Sequence, residues 1–199
     1  MRILAFSDLH HARARAEAIV EASAGADLVI GAGDFCNHRQ NLPEAMNLLA
    51  GLAAPMIAVA GNAESHDELS EAAHAGTTVL HGKGTEFGGL RVFGLGYAVP
   101  VTPFGAWSCD LDEATAATLL DRCAAADVLV LHSPPRGVAD RTSAGAHVGS
   151  TAIRAAIERV QPRLALCGHI HDSWGQEGTI GATRVVNLGP KPNWFEVPE

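Results

Sequence analysis

Short apolar runs recur along the chain, and in its first third they alternate with segments whose apolar residues follow helical spacing. The runs at residues 2–7, 27–30 and 56–60 are typical of buried strands. The segments between them, at 12–24 and 41–51, are alanine-rich or amphipathic and predict helices. A β-α-β-α-β order favours a largely parallel sheet that is covered by helices.

In the middle of the chain, short strands replace this alternation. Residues 64–75 predict one more helix, and residues 97–108, which contain two prolines, predict a loop. Between them, Gly88 and Gly89 fit the tight turn of a hairpin. The strands that this pattern predicts are 77–80, 85–87 and 90–95.

The last part of the chain returns to buried strands and helices. Asp110 and Glu113 stand three residues apart, as in a capping box, and predict a helix that ends near residue 125. Ser150 is a candidate cap for a helix that ends near Val160. The other predicted elements are strands at 127–131 and 163–166, a loop at 133–149, and a closing hairpin of 178–180 and 183–187.

Composition and charge narrow the class of protein. The chain has 199 residues, 47% hydrophobic and 18% charged, so we expect one globular domain over residues 1–199. No apolar run approaches the roughly 20 residues that span a bilayer, so we expect no membrane partner. The formal net charge is −8 and there is no basic stripe. Nucleic acid is therefore disfavoured as a partner, although an acidic protein can still cut it.

The N-terminal segment and the cysteines indicate the cellular location. The first apolar run meets Asp8 and His10 too soon to be a signal peptide. The four cysteines have no C-x-x-C spacing, and we interpret them as reduced, mostly buried thiols. We therefore expect a cytoplasmic protein. Nothing in the sequence indicates its oligomeric state.

Polar side chains follow five of the predicted strands, at the point where each apolar run ends. Side chains at i and i+2 of extended backbone point the same way, so His169 and His171 are expected to face one pocket. Gly168 before them lets backbone or ligand come close. Sites in α/β sheets form at the carboxyl ends of strands. The groups expected to converge there are Asp8, His10, Asp34, Asn62, His132, His169 and His171.

These seven groups offer carboxylate and amide oxygens or imidazole nitrogens and no thiolate, which suits first-row divalent metals. The set is too large for one ion with open positions, and suits two ions about 3.5–4 Å apart that share a carboxylate. Such a pair polarises a phosphoryl group and makes a nucleophile from bound water near neutral pH. A closed structural zinc site is disfavoured because such sites are usually sets of four Cys or His ligands.

Each group also has an ordinary structural role when it is taken alone. Asp8 is a candidate helix cap, Asp34 and Asn62 follow glycines as turn residues do, and His132 can be a hydrogen-bonded histidine at a strand end. Their occurrence together, each just past a buried strand, argues for a shared site instead.

With these residues in this order, the chain resembles the calcineurin-like metallophosphoesterase family, and its small single-domain members of bacterial or archaeal type in particular. The resemblance implies an α/β fold, a four-layer sandwich of two mixed β-sheets flanked by α-helices. The blocks that carry it are Asp8-Leu9-His10, Gly33-Asp34, Gly61-Asn62, His132 and Gly168-His169-Ile170-His171.

The resemblance also implies how the seven residues share two divalent ions. Asp34 would bridge both ions, and Asp34, Asn62 and His132 would have catalytic roles. Mn²⁺ is the favoured ion, with Fe, Zn²⁺, Co²⁺ and Ni²⁺ as alternatives, because selectivity depends on geometry and availability. By the resemblance, one ion would be held by Asp8, His10 and His171, and the other by Asn62, His132 and His169.

One position departs from the family pattern, which usually reads Gly-Asn-His-Asp/Glu. Here Ala63 replaces the histidine that, in the family, is thought to protonate the leaving oxygen or steady the transition state. Losing a positioned acid typically costs about 10²–10⁴-fold, most for leaving groups of high pKa. We therefore predict a phosphodiesterase acting on a small-molecule phosphoester. The alternatives are a phosphomonoesterase or protein phosphatase of the family, and a non-catalytic metal-binding scaffold.

Several other residues are weaker candidates. Arginines grip phosphate oxygens and loops often carry function, although exposed loop residues need no such role. His66 is a candidate substitute for the missing acid, with an exposed helix histidine as the favoured alternative. The tryptophans are candidates for base stacking, with core or rim packing favoured. The predicted substrate-binding residues are His147, Arg136, Arg141, His11 and Asn37.

Overall fold

The apolar runs of the sequence become buried strands in two mixed β-sheets. The structure is a computed structural model that describes residues 1–197. The first sheet has the order β11-β1-β2-β3-β4, in which only the β1–β11 pair is antiparallel. Its strands are β1 (Arg2–Phe6), β2 (Leu28–Gly31), β3 (Met56–Ala58), β4 (Thr77–Val79) and β11 (Asn193–Glu196).

The second sheet has the order β5-β6-β7-β8-β10-β9, with a parallel centre and an antiparallel hairpin at each edge. The tight turn at Gly88 and Gly89 joins β5 to β6, as predicted. The strands of this sheet are β5 (Lys83–Phe87), β6 (Leu90–Leu95), β7 (Val128–Leu131), β8 (Leu164–Cys167), β9 (Glu177–Ile180) and β10 (Thr183–Asn187).

The two sheets pack face to face, and helices cover their outer faces. Along β1, Ile3 and Ala5 belong to the core between the sheets, while Leu4 and Phe6 face the helices. Each fully buried aliphatic or aromatic side chain stabilises the fold by about 1.5–3 kcal/mol. The predicted sandwich of two mixed sheets flanked by helices is confirmed. The helices are α1 (Arg13–Ser23), α2 (Leu42–Asn47), α3 (His66–Ala72), α4 (Glu113–Leu120) and α5 (Thr151–Val160).

Helix α4 corrects one local prediction. Asp110 and Glu113 do not form a capping box: Asp112 caps the helix by accepting a hydrogen bond from Thr115 N at 2.7 Å. Glu113 accepts instead from Thr151 N and Ala152 N, at 2.9 and 2.8 Å, at the start of α5. The carboxylate of Glu113, which the spacing assigned to α4, therefore caps the start of α5 instead.

Two further differences from the predicted elements concern β11 and α2. Strand β11 was not predicted, because only Phe195 of its four residues is buried and its partner β1 lies at the other end of the chain. Helix α2 ends at Asn47 rather than near residue 51, and turns follow it. The predicted cap of α5 is confirmed, since Ser150 Oγ accepts from Ile153 N at 3.1 Å. Among residues 1–197, no helix is long and apolar enough to cross a membrane.

Candidate metal centre

The loops after β1 and β2 turn sharply back over the ends of their strands. Asp8, His10 and Asp34 have φ angles of 54°, 47° and 59°, a left-handed conformation that is uncommon for residues other than glycine. The two loops are joined by backbone hydrogen bonds, from Asp8 N to Gly33 O at 2.9 Å and from His10 N to Asp34 O at 3.0 Å. Backbone strain of this kind clusters at functional sites, where the surrounding structure maintains it.

The loop after β3 approaches Asp34 so closely that only glycine fits there. A Cβ atom on Gly61 would lie 2.0 Å from Asp34 Oδ1 and 2.3 Å from Asp34 N. Two residues on, Ala63 N donates a hydrogen bond to Asp34 Oδ1 at 2.8 Å. Any side chain at position 61 would therefore displace the carboxylate of Asp34.

Glu64 fastens the loops after β2 and β3 to each other. Its side chain is fully buried. Oε1 accepts from Asp34 N at 2.8 Å and Gly61 N at 2.7 Å, and Oε2 accepts from Phe35 N at 3.1 Å and Cys36 N at 3.3 Å. Burial and the charge of Asp34 raise the pKa of Glu64 to about 7. Four backbone donors on one carboxylate fix the position of Asp34.

The last loop does not have the extended backbone that the sequence predicted. Strand β8 ends at Cys167, His169 has a left-handed φ of 67°, and His171 begins a short 3₁₀ turn, His171–Ser173. The Asn187 amide holds this loop by donating to Gly168 O at 3.1 Å and Ile170 O at 3.2 Å. Both histidines still face one cavity, but through these turns rather than through strand alternation.

Asp8 is oriented by groups that donate to it. His169 N donates to Asp8 Oδ1 at 3.0 Å, and the Trp174 indole donates from Nε1 to Oδ2 at 3.0 Å. The Trp174 ring also packs on His171, with centroids 4.2 Å apart. Trp174 thus contacts two predicted ligands, Asp8 and His171, and helps to hold both in position.

Four side chains from three loops could hold a metal ion. One ligand atom of each lies within 4.8 Å of all the others. His10 Nε2 is 3.2 Å from His171 Nε2 and 3.5 Å from Asp34 Oδ2. These four residues are Asp8, His10, Asp34 and His171.

A second group of ligands faces the other oxygen of Asp34. His132 Nε2 lies 3.1 Å from Asn62 Oδ1 and 3.5 Å from Asp34 Oδ1. The ring of His169 lies next to that of His132, with centroids 5.0 Å apart. The structure therefore brings all seven predicted ligands together, with Asp34 between the two groups.

The hydrogen bonds of two histidines suit metal binding. His10 Nδ1 lies 3.1 Å from Cys36 O, and His132 Nδ1 lies 2.8 Å from Ala32 O. A carbonyl only accepts, so each ring carries a proton on Nδ1, and Nε2 is the nitrogen that faces Asp34 and would bind a metal ion. The donor set fits divalent ions.

The charges of the cluster act on one another. Burial opposes ionisation of Asp34, but His132 and His10 outweigh it, so the pKa of this carboxyl is lowered. Burial and the neighbouring His132 lower the pKa of His169 to about 3, and burial also lowers the pKa of His171. These two imidazoles are therefore neutral near pH 7, as metal ligation requires.

A cavity of about 620 Å³ opens over the cluster. This size suits a small organic ligand. Within residues 1–197, its lining contains no lysine or arginine. The residues that line it are His10, Asp34, Asn37, His38, Asn62, Phe104, Trp107, His169 and His171.

One of the five predicted substrate-binding residues lines the cavity, and the other four lie outside its lining. Asn37 lines the cavity and donates to His10 O at 3.2 Å. His11 is not in the lining, and its Nε2 lies 3.3 Å from Gln40 O. The other three lie in the loop between β7 and α5, outside the cavity lining, and their part in substrate binding stays a prediction. These three residues are Arg136, Arg141 and His147.

Other candidates from the sequence lie beside the site. His66 pairs with Asp67, 2.9 Å away, and is not in the lining, so it does not occupy the place of the missing acid. Burial raises the pKa of the Cys36 and Cys167 thiols, which makes them poor nucleophiles. Phe104 was missed altogether, since one aromatic residue in a proline- and glycine-containing loop follows no period.

A family model and a curated protein match this chain. A family model described as the calcineurin-like phosphoesterase superfamily domain matches residues 1–196. Among curated proteins, a UPF0046 protein of Caenorhabditis elegans is 29% identical over 152 residues, which cover 69% of this chain. The chain spans only 36% of the length of that relative.

Solved structures show the same fold. TT1561 of Thermus thermophilus has a TM-score of 0.74 at 19% identity, covering 94% of this chain and 88% of that chain. A dimetal phosphatase from Danio rerio has a TM-score of 0.61 at 11% identity, covering 96% of this chain and 88% of that one. At such identities the likeness concerns the fold alone.

Proposed function

The chain belongs to the calcineurin-like phosphoesterase superfamily, and from this premise we propose that it is a dinuclear metal-dependent phosphodiesterase with one domain over residues 1–199. One observation carries the proposal. The two carboxylate oxygens of Asp34 each lie 3.5 Å from the Nε2 atom of a different histidine, His10 on one side and His132 on the other. This arrangement supports a carboxylate shared by two ions.

In the proposed centre, the predicted ligands divide between the two ions as the family resemblance implies. Asp8, His10 and His171 hold one ion. Asn62, His132 and His169 hold the other, and catalytic roles fall to Asp34, Asn62 and His132. When bound, two such ions neutralise phosphoryl oxygens and lower the pKa of a coordinated water. Mn²⁺ is our favoured ion, and Fe, Zn²⁺, Co²⁺ and Ni²⁺ also accept these donors.

The chain's own residues orient this centre. Glu64 fixes the loop that carries Asp34, and Trp174 fixes Asp8. Backbone carbonyls hold the Nδ1 protons of His10 and His132, so that both rings present Nε2. Such supporting partners typically account for about 10–100-fold in metal affinity or activity.

Two features support a diester substrate rather than a monoester. Ala63 is buried and offers no acid to a leaving oxygen, and His66 is turned to Asp67. Within residues 1–197, the cavity lining has no lysine or arginine, so the proposed ions would supply most of the positive charge that balances the substrate. A diester carries one negative charge and a monoester up to two, so the diester is the better match.

The test compares hydrolysis of bis-p-nitrophenyl phosphate with that of p-nitrophenyl phosphate, using metal-stripped protein reloaded with Mn²⁺. We expect kcat/KM to favour the diester by about 10-fold or more, which corresponds to roughly 1.4 kcal/mol of transition-state stabilisation. Ala63→His should raise hydrolysis of a monoester whose alcohol leaving group has a high pKa, such as glycerol phosphate, because such a leaving oxygen depends on a positioned acid, worth about 10²–10⁴-fold.

Other results would identify the alternatives. A wild type that prefers the monoester would support a phosphomonoesterase or protein phosphatase. Tight Mn²⁺ binding without turnover of either ester would support a metal-binding scaffold.

We also propose a small-molecule partner and a cytoplasmic location. The volume of the cavity, about 620 Å³, supports the first. The free thiols of Cys36, Cys109, Cys123 and Cys167 support a reducing compartment.

A further inference from the structure

One wall of the cavity is aromatic, although the rest of the lining is polar. Phe104 and Trp107 lie on the loop between β6 and α4 and face the same cavity as the predicted ligands. Phe104 is 49% exposed, which is a large fraction for a phenylalanine, since aromatic side chains are mostly buried. The two ring planes are within 4° of parallel, with centroids 5.8 Å apart.

The aromatic wall extends to both sides of the cavity. His38 lies edge-on to Trp107, with ring centroids 4.3 Å apart. On the other side, Phe104 lies 6.4 Å from the ring of His169, a predicted ligand. Phe104 therefore lies beside the cluster of predicted ligands, in the cavity that opens over it.

Hydrogen bonds hold the aromatic loop in place. Asp110 accepts from Thr102 N at 2.7 Å and from Ser108 Oγ at 2.6 Å. Ser108 in turn accepts from Asn62 Nδ2 at 3.1 Å, and Cys109 N donates to Asn62 O at 2.9 Å. The loop is thus fixed to Asn62, a predicted metal ligand, so the distance from the rings to the centre is set by the fold.

We propose that Phe104 and Trp107 form a stacking subsite for a flat aromatic group carried by the phosphoester, a nucleobase or another heteroaromatic ring. The inference rests on the proposed function and names its substrate class. Phe104 is exposed and Trp107 is half-buried, and their parallel rings in the cavity lining suit another flat ring. Base stacking tolerates any base. Asn37 and His38 line the same cavity and supply polar groups for ring heteroatoms. The absence of lysine and arginine from the lining, within residues 1–197, argues against a second phosphate group there.

The test measures binding of adenosine 5′-monophosphate and of ribose 5-phosphate, which differ only in the base, to the Mn²⁺-loaded full chain by calorimetry. The base should tighten binding about 10-fold, within the range of stacking on an aromatic side chain. Trp107→Ala should remove most of this difference and leave the affinity for ribose 5-phosphate unchanged.

Two further variants serve as controls. Phe104→Leu keeps an apolar side chain and removes the ring, so it should weaken adenosine 5′-monophosphate alone; full affinity in this variant would overturn the stacking subsite. Trp194→Ala changes an exposed tryptophan on β11, outside the cavity lining, and should change neither affinity.

The remaining outcomes separate this inference from the proposed function. Equal affinity of the wild type for the two probes, or no measurable binding of either, would overturn the subsite, as would a Trp107→Ala variant that keeps the full preference for the base. Hydrolysis of bis-p-nitrophenyl phosphate is measured in parallel. Absent hydrolysis together with a Trp107-dependent preference for the base would overturn the proposed reaction and leave the subsite standing.

Discussion

Two loops at the cavity are each held by a carboxylate, but the two carboxylates differ in their surroundings. Glu64 is fully buried and accepts from four backbone N–H groups of the loops around Asp34. Asp110 is half-buried and accepts from the backbone N and hydroxyl of Thr102 and from the hydroxyl of Ser108. The first carboxylate positions predicted metal ligands, and the second positions the aromatic wall.

This difference in burial indicates a difference in rigidity. A buried charge is costly unless its hydrogen bonds are complete, so Glu64 holds the loops around Asp34 in one geometry. Asp110 keeps contact with water, so losing one of its hydrogen bonds costs less free energy than losing one of those that Glu64 accepts. The loops around Asp34 suit metal ions, which need fixed ligands. The loop of Phe104 and Trp107 suits recognition of the organic part of a substrate.

The largest effect is expected at Asp34, where both groups of ligands meet. Asp34→Ala should lower Mn²⁺-dependent diester hydrolysis by about 10³-fold or more, because the bound ions stabilise the transition state by several kcal/mol. Steady-state kinetics with bis-p-nitrophenyl phosphate measures this loss. Asp67→Ala, at a carboxylate whose side chain is 92% exposed, is the matched control. A variant within tenfold of the wild type would contradict the shared role of Asp34.

The loops that Glu64 holds around Asp34 are tested next by Glu64→Gln. The amide keeps one acceptor oxygen, but its NH₂ group meets the N–H donors of the loop, and each unsatisfied buried donor costs about 1–3 kcal/mol. We expect Mn²⁺ affinity to fall about 10–100-fold and the free energy of unfolding to fall as well. Calorimetric Mn²⁺ titration and urea unfolding measure the two. Glu71→Gln, on the exposed surface of α3, should leave both unchanged.

The loop that carries Phe104 and Trp107 is tested by Asp110→Asn, which weakens the hydrogen bonds that hold this loop. Affinity for adenosine 5′-monophosphate should fall about 5-fold, in line with about 1 kcal/mol for one hydrogen bond, while Mn²⁺ affinity falls less than in Glu64→Gln. Calorimetry again gives both values. If Mn²⁺ affinity fell as much as in Glu64→Gln, the two loops would not be separable in function.

The buried carboxylate of Asp140 extends the comparison to the effect of pH. Asp140 accepts from Gly137 N and Gly149 N, both at 2.9 Å, and from His147. Burial raises the pKa of Asp140, but these donors outweigh it and hold the pKa below its ordinary value of 3.8. The folded state therefore favours the ionised form, so its stabilisation is present above pH 3.8 and disappears as pH falls through the folded pKa.

Asp140→Asn should accordingly lower the free energy of unfolding by about 1–3 kcal/mol at pH 7, with a smaller difference from wild type below pH 3.8. Urea unfolding at a series of pH values measures it, with Asp67→Asn as the control. A difference that grows as the pH falls would have the wrong sign for this account.

The parts of the fold that local patterns encode were predictable. The β-α-β-α-β start could be predicted because its buried strands are uninterrupted apolar runs, and Ser150 because a helix cap depends on residues close by. The polar residues that end these strands meet at one place because parallel strands of one sheet share a carboxyl edge, and the edge of β1, β2 and β3 lies beside the edge of β7 and β8.

The parts that depend on distant partners were not predictable. Glu113 caps α5 from 37 to 39 residues away, and β11 pairs with the opposite end of the chain. Trp174 reaches Asp8 across 166 positions. Phe104 lies in an irregular loop, and nothing in its neighbours indicates that the loop folds over Asn62.

The most direct test of the central claim is a titration of metal-stripped protein with Mn²⁺ under tight-binding conditions, with hydrolysis of bis-p-nitrophenyl phosphate followed at each addition. We predict that activity rises to a plateau at two equivalents of Mn²⁺ per chain and that Asp34→Ala shows no such rise. A plateau at one equivalent, or hydrolysis that persists without added metal, would contradict a dinuclear phosphodiesterase.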